Sequence, residues 1–260
     1  MINESDRWVI DRDDAVCVLR FDGGERRTMT IADAGALAAL LTERANRESP
    51  PVLVLVFDVL HAELREVREM ADGRPISDWA PWVDAISGIE NYPSAVIVAV
   101  PVQATCGGLE MSVAADIRIA APDAVLGVME TRMGILPGAG GTQRLPELIG
   151  RGDAALLVLT GDVVSGTEAH RMGLVQLLAD DPVSRAVQLA ERLTKIGFPV
   201  LAAAKRALAG GRTRPADGFR NEGRAFLSIV GTDFTKSRLD AWLHDQDHAI
   251  SPALDRGPLP

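Results

Sequence analysis

Two short apolar runs, residues 52–57 and 95–100, do most to limit what this chain can fold into. Each is continuous and each follows a breaker, Pro50-Pro51 before the first and Asn91-Tyr92-Pro93 before the second. Apolar runs of this length between turn residues read as buried strands. Within residues 9–21, the run Ala15-Val16-Cys17-Val18-Leu19 lies between Asp13-Asp14 and Asp22-Gly23-Gly24, which reads as one strand and a turn. Helical patterns lie between these strands. Thr30 can cap a helix over residues 31–46, with Leu37, Leu40 and Leu41 on one face. Another helix fits residues 78–90, and Gly107-Gly108 opens a third that runs through Ala114. Strands alternating with helices imply right-handed crossovers and a parallel arrangement, so the expected class is α/β.

Ile117-Arg118-Ile119 and Ala124-Val125-Leu126 are further short strand candidates. Beyond Gly150 the pattern turns helical, at residues 153–159, 166–172, 182–195, 200–208 and 222–248, with residues 252–260 expected to fray. The expected division is an α/β core over residues 1–195 and a helical C-terminal portion over 196–260. A chain of 260 residues can bury one large core. Its net charge of −9 leaves no basic field for nucleic-acid phosphates or for a polybasic membrane anchor. Cys17 and Cys106 lack a paired spacing, so neither a disulfide framework nor a metal site is expected. The polar start of the chain, with Glu4, Asp6 and Arg7, does not read as a signal peptide, and no apolar run is long enough to span a bilayer. A cytoplasmic protein with no membrane and no nucleic-acid partner is the expectation.

Chemistry concentrates in two glycine-bearing segments, each with a glutamate. The first is Cys106-Gly107-Gly108-Leu109-Glu110, directly after the second apolar run. Adjacent glycines between a strand and a helix let the backbone approach a ligand closely. The N–H groups of the first helical turn then favour a developing negative charge, and losing one such donor typically costs about 3 to 4 kcal/mol of barrier. Glu110 falls in that first turn, where the dipole suits it to base work. The second segment is Leu126-Gly127-Val128-Met129-Glu130, where an apolar neighbourhood suits Glu130 to acid work. Two carboxylates in one partly dry pocket can divide acid and base roles. Taken singly, the glycine pair also fits a packing turn, and Glu130 also fits an ion-paired surface residue. Gly138-Ala139-Gly140-Gly141-Thr142 lacks the lysine-bearing ending of a phosphate loop.

Together these stretches resemble the enoyl-CoA hydratase/isomerase (crotonase) superfamily. The likeness is sharpest in Ala114-Ala115-Asp116-Ile117-Arg118-Ile119-Ala120 and in Gly134-Ile135-Leu136-Pro137-Gly138-Ala139-Gly140-Gly141-Thr142-Gln143-Arg144-Leu145. It continues in Leu159-Thr160-Gly161-Asp162 and Ala169-His170-Arg171-Met172-Gly173-Leu174-Val175. The resemblance implies a spiral of ββα units with a helical C-terminal trimerisation portion, and a homotrimer or dimer of trimers. It implies an acyl-thioester substrate, with coenzyme A or phosphopantetheine as part of that substrate and no permanently bound cofactor. By this likeness Gly107 supplies one backbone N–H of an oxyanion hole, Glu110 orients and activates water, and Glu130 exchanges the α-proton. Keeping both carboxylates favours a lyase that adds or removes water at the 2,3 position. Other enolate chemistry (isomerisation, decarboxylation) and a non-catalytic thioester-binding role stand as alternatives. Gly108, Leu64, Met70, Trp82 and Gly138 fall where such a substrate would bind, although for Met70, Trp82 and neighbouring Trp79 core contacts of the helix over 78–90 are the favoured reading.

The likeness weakens at three places. The loop expected to give the second oxyanion donor corresponds to Glu63-Leu64-Arg65-Glu66, which has no glycine and would make Arg65 the donor. That N–H is spent if a helix already covers residues 61–70 and free if the helix starts near Ala62. The segment Asp22-Gly23-Gly24-Glu25-Arg26-Arg27-Thr28-Met29 and the acidic stretch His244-Asp245-Gln246-Asp247-His248 both depart from the family's pattern for holding coenzyme A. Arg26, Arg27 or Arg65 could substitute, or the acyl group could arrive on a carrier protein.

Overall fold

The computed structural model describes residues 7–24, 27–57, 61–210, 226–227 and 230–244. A hairpin of β1 (Trp8–Asp13) and β2 (Val16–Phe21) opens the chain. Four strand–strand–helix units then follow one another in sequence, the first sharing β2 with the hairpin. They are β2, β3 (Thr28–Met29) and α1 (Ile31–Ala45); β4 (Val52–Val56), β5 (His61–Ala62) and α2 (Leu64–Ala71); β6 (Val96–Val100), β7 (Gln103–Thr105) and α4 (Gly107–Ala114); and β8 (Ile117–Ala120), β9 (Val125–Gly127) and α5 (Gly141–Thr160). Helix α3 (Ala80–Glu90) follows α2 through a 3-10 turn at Ile76–Trp79. After α5 come β10 (Val163–Ser165), α6 (Gly166–Met172), β11 (Leu177–Leu178), α7 (Pro182–Thr194), α8 (Phe198–Gly210) and α9 (Asp233–His244).

The first strand of each unit enters one six-stranded sheet of order β1-β2-β4-β6-β8-β11. Only the β1–β2 pair in it is antiparallel. The second strands, joined by β10, form smaller sheets, β10-β9-β7 and β3-β5. This division explains why residues 52–57 and 95–100 show no polar face. Alternate residues of a strand point to opposite sides, and both sides are covered. Leu53, Leu55, Val96 and Val98 pack with Leu37, Leu41, Trp82 and Ile89 of α1 and α3. Val52, Val54, Val56, Ile97 and Ala99 pack on the other side with Ala186 and Ala190 of α7. Full burial of each such Val or Leu stabilises by about 1.5 to 3 kcal/mol.

Local chemistry sets several boundaries. Thr30 caps α1 by accepting from the Asp33 N–H at 3.1 Å, while Asp33 accepts from the Thr30 N–H at 2.8 Å, a reciprocal capping box. Helix α1 crosses α3 closely, since a Cβ on Gly88 would meet Leu41 at 3.1 Å. Arg118, buried, donates to the carbonyls of Ser112 at 3.2 Å and Ala115 at 2.9 Å, closing the end of α4, and to Leu174 at 2.7 Å. Burial lowers its pKa to about 10.

Three expectations change. Residues 9–21 form two strands, because β1 is an edge strand with Val9 and Ile10 exposed and an unpatterned run of charges behind them. The helix expected at 153–159 extends back to Gly141 through Pro146 and a kink at Gly150, whose φ is 79°. The helix expected at 78–90 begins at Ala80 with Pro81 in its first turn, after the 3-10 turn. Of the expected tail helix at 222–248, α9 covers Asp233–His244; Arg26 and residues 245–248 lie outside the described residues. Among the described residues no helix is long and apolar enough to cross a membrane.

Candidate active site

The site forms where α4 begins. Cys106 caps that helix with φ 49° and ψ −127°, a left-handed backbone that a side-chain-bearing residue adopts only at a cost of order 1 to 3 kcal/mol. Its N–H donates to the Gly127 carbonyl at 2.9 Å, which ties α4 to β9. Gly107 follows, with the indole of Trp82 directly behind it: an added Cβ would meet Cζ3 at 2.7 Å. No other residue fits there without moving the indole.

Glu110 lies one turn into α4, buried, with its carboxylate turned toward the start of α5. Its Oε1 accepts from the N–H of Ala139 at 2.9 Å and of Gly141 at 2.8 Å. Two donors on one oxygen, at the N-terminal end of the first segment of α5, stabilise negative charge and fix the side chain's direction. Space is short: a Cβ on Gly141 would lie 3.0 Å from Oε1 and 3.2 Å from Cγ. This is the physical reason for glycine there, and Gly140 adopts φ 103° to complete the turn.

Glu130, also buried, opens the 3-10 turn Glu130–Met133 after β9. Its carbonyl accepts from the Ile135 N–H at 3.0 Å. Burial pushes the Cys106 thiol well above its ordinary pKa, and the nearby Glu130 carboxylate adds to the effect. That thiol is therefore a neutral neighbour of the carboxylate, not a nucleophile.

Both glutamates line one cleft. Gly107 and Cys106 line it with them, and Ala62, Leu64, Val67, Trp79, Met133, Ile135, Leu136, Gly138 and Phe226 make the rest of the lining mostly apolar. Helix α9 backs this wall: Leu239 packs with Leu64, Val67, Met133 and Ile135. Thr235 donates to the Gly134 carbonyl at 2.7 Å, and Arg68 pairs with Asp240 at 2.7 Å.

The residues expected from the sequence divide. Glu110, Glu130, Gly107, Leu64 and Gly138 meet in the cleft. Arg65 does not line it. Helix α2 begins at Leu64 with Glu63 as its cap, and the Arg65 N–H donates to Glu63 Oε1 at 3.3 Å. Glu63 Oε2 accepts from the Thr28 hydroxyl at 3.1 Å, which holds the cap in place. Ala62 and Leu64 are the wall residues from this segment. Met70 is buried in the core at the far end of α2. Trp82 sits behind Gly107 and stacks on Trp79, centroids 5.2 Å apart and planes within 8°, so Trp79 faces the cleft. Gly108 lies inside α4, its carbonyl accepting from the Ser112 hydroxyl at 2.7 Å. Cys106, Trp79, Ala62, Val67, Met133, Ile135, Leu136 and Phe226 complete the lining. Phe226 stands 3.6 Å from where a Gly138 Cβ would be, a contact made only in the folded chain.

The sequence model of the enoyl-CoA hydratase/isomerase family matches residues 63–243. The chain is 43% identical over 140 residues to the human mitochondrial enoyl-CoA hydratase domain-containing protein 2, covering 50% of this chain and 47% of that protein. It is 33% identical over 187 residues to enoyl-CoA isomerase/hydratase fer4 of Mycosarcoma maydis, covering 70% of this chain and 68% of that protein. The first three curated relatives are matched over only 47% to 60% of their length. The crystal structure of an enoyl-CoA hydratase from Bacillus anthracis superposes with a TM-score of 0.72 at 29% identity, covering 92% of this chain and 96% of that one. The four ββα units and the helical C-terminal region are those of the crotonase fold, and the chain belongs to the enoyl-CoA hydratase/isomerase family.

Proposed function

We propose that this protein is an enoyl-thioester hydratase or dehydratase, a lyase acting across the 2,3 bond of an acyl thioester. The observation that carries this reading is the carboxylate pair: Glu110, pinned through Oε1 by two backbone N–H groups, faces the same cleft as Glu130. In the hydration direction, Glu110 takes a proton from water as the water oxygen bonds to the β-carbon. The electron pair of the double bond moves toward the thioester, whose oxygen becomes an enolate against the Gly107 N–H at the start of α4. Glu130, in its acid form, then delivers a proton to the α-carbon. The two glutamates have now exchanged protonation states, and proton exchange with solvent resets them.

Coenzyme A or phosphopantetheine enters this scheme as the substrate's own carrier, with no resident cofactor. The apolar wall of Leu64, Val67, Trp79, Met133, Ile135 and Phe226 suits a hydrocarbon acyl chain. Assembly as a homotrimer or a dimer of trimers, and a cytoplasmic location, belong to the same reading. Glu110→Gln and Glu130→Gln should each lower kcat by roughly 10²- to 10⁴-fold while melting as the parent does. Near-parental rates in both variants refute the assignment.

A second reading, isomerisation of the same enolate, is favoured by the double name of the Mycosarcoma maydis relative. It would give a product with the double bond moved and no water added, which mass spectrometry distinguishes directly.

A further inference from the structure

We propose that Arg144, braced by Glu90, is a positioning residue that holds the backbone cradle of Glu110. This rests on the role just given to Glu110. Arg144 is buried in the first turn of α5, and its two terminal nitrogens point to different elements. Nη1 donates to the Ala139 carbonyl at 3.0 Å, and Nη2 donates to Glu90 Oε2 at 2.6 Å, at the last residue of α3. Ala139 is the residue whose N–H donates to Glu110 at 2.9 Å. A line of contacts therefore runs from the end of α3 through the guanidinium to the loop and on to the carboxylate.

The loop needs such a clamp. Its residues Gly138, Ala139, Gly140 and Gly141 lose more conformational freedom on ordering than most sequences would, and Gly140 is held at φ 103°. Fixing the Ala139 carbonyl fixes the peptide plane between the two amides that reach Glu110. Only a planar fork can grip the carbonyl and Glu90 together; a lysine ammonium is a point donor. The pairing is costly to bury, with side chains only 3% and 18% exposed. Apolar residues often stabilise such a position as well as an ion pair does, so packing alone does not call for one. Arg144 does not line the cleft, and its effect passes through Glu110.

The test compares the Glu90→Gln/Arg144→Met double variant, Arg144→Lys and a remote ion-pair variant, Asp13→Asn, with the parent. Asp13 pairs with Arg44 and Arg47 away from the site and controls for lost stability. The first readout is the pH titration of the Glu110 carboxyl by 13C NMR, assigned with Glu110→Gln. The second is the split between kcat and KM on an enoyl thioester. The double variant is expected to raise the Glu110 titration midpoint by about one pH unit and to lower kcat about tenfold, with KM changed less than about twofold. Arg144→Lys should move both in the same direction by less, and Asp13→Asn should move neither. A folded double variant whose Glu110 titrates as in the parent overturns the proposal. If the double variant does not fold, Arg144→Lys decides by the same criterion. The NMR readout needs no turnover, so a protein that hydrates nothing would sink the assigned reaction and leave the positioning role to be judged by the titration.

Discussion

The Trp82 indole occupies the space that a side chain at Gly107 would need, with Cζ3 2.7 Å and Cη2 2.9 Å from the missing Cβ. The N–H assigned to the enolate is thus held from behind by a buried ring, itself stacked on the cleft residue Trp79. Gly107→Ala should force the ring or the start of α4 to shift, costing about 1 to 3 kcal/mol of stability. It should also lower kcat/KM by at least tenfold, because the donor moves. Trp82→Phe removes the colliding atoms, so adding it to Gly107→Ala should recover part of both losses. A thermal and kinetic double-mutant cycle measures this; strict additivity would contradict the contact.

Gly141 faces a similar restriction from the other side. Its Cβ would press on Glu110 Oε1 at 3.0 Å and on Pro137 at 3.1 Å. Gly141→Ala should tilt the carboxylate off its two amides and lower kcat by about 10²-fold, with a smaller effect on KM. An alanine variant with parental kcat would mean that the cradle does not govern the reaction.

Much of this architecture is readable from the residues, for identifiable reasons. Strands β4 and β6 announce themselves because both faces are covered, leaving no polar position in either. Thr30 and Asp33 mark the start of α1 because capping is local. Gly107, Glu110 and Glu130 stand out because glycine and buried carboxylates are uncommon in such runs. What stays hidden depends on phase or on distance. The 3-10 turn Ile76–Trp79 sets the phase of α3, and so turns Trp79 to the cleft and Trp82 to the back of Gly107. The Arg65 N–H turns to Glu63 Oε1 because α2 starts at Leu64 with Glu63 as its cap, a choice between neighbouring start points that spacing alone does not make. Phe226 reaches the wall from the C-terminal region, which no local pattern signals.

The two thiols should be silent. Burial raises Cys17 from 9.0 to about 11 and raises Cys106 well above its ordinary value. In native protein at pH 8, a disulfide reagent should label neither residue until unfolding exposes them. Linkage gives the pH sign. A thiol with a raised folded-state pKa binds its proton more tightly when folded, so its contribution is complete below about pH 9 and fades as pH rises toward 11. Melting temperature should therefore fall across that window, and less steeply in Cys17→Ala. Rapid labelling of the native protein at pH 8 would show that these sites open.

The most direct test is to give the purified protein crotonyl-CoA and larger enoyl-CoAs in 18O-labelled water and weigh the products. If Glu110 and Glu130 add water across the 2,3 bond, the product gains one molecule of water carrying one labelled oxygen. Glu110→Gln and Glu130→Gln should both abolish that gain. Turnover to an isomer without labelled oxygen, or hydration that survives both substitutions, would contradict the assigned chemistry.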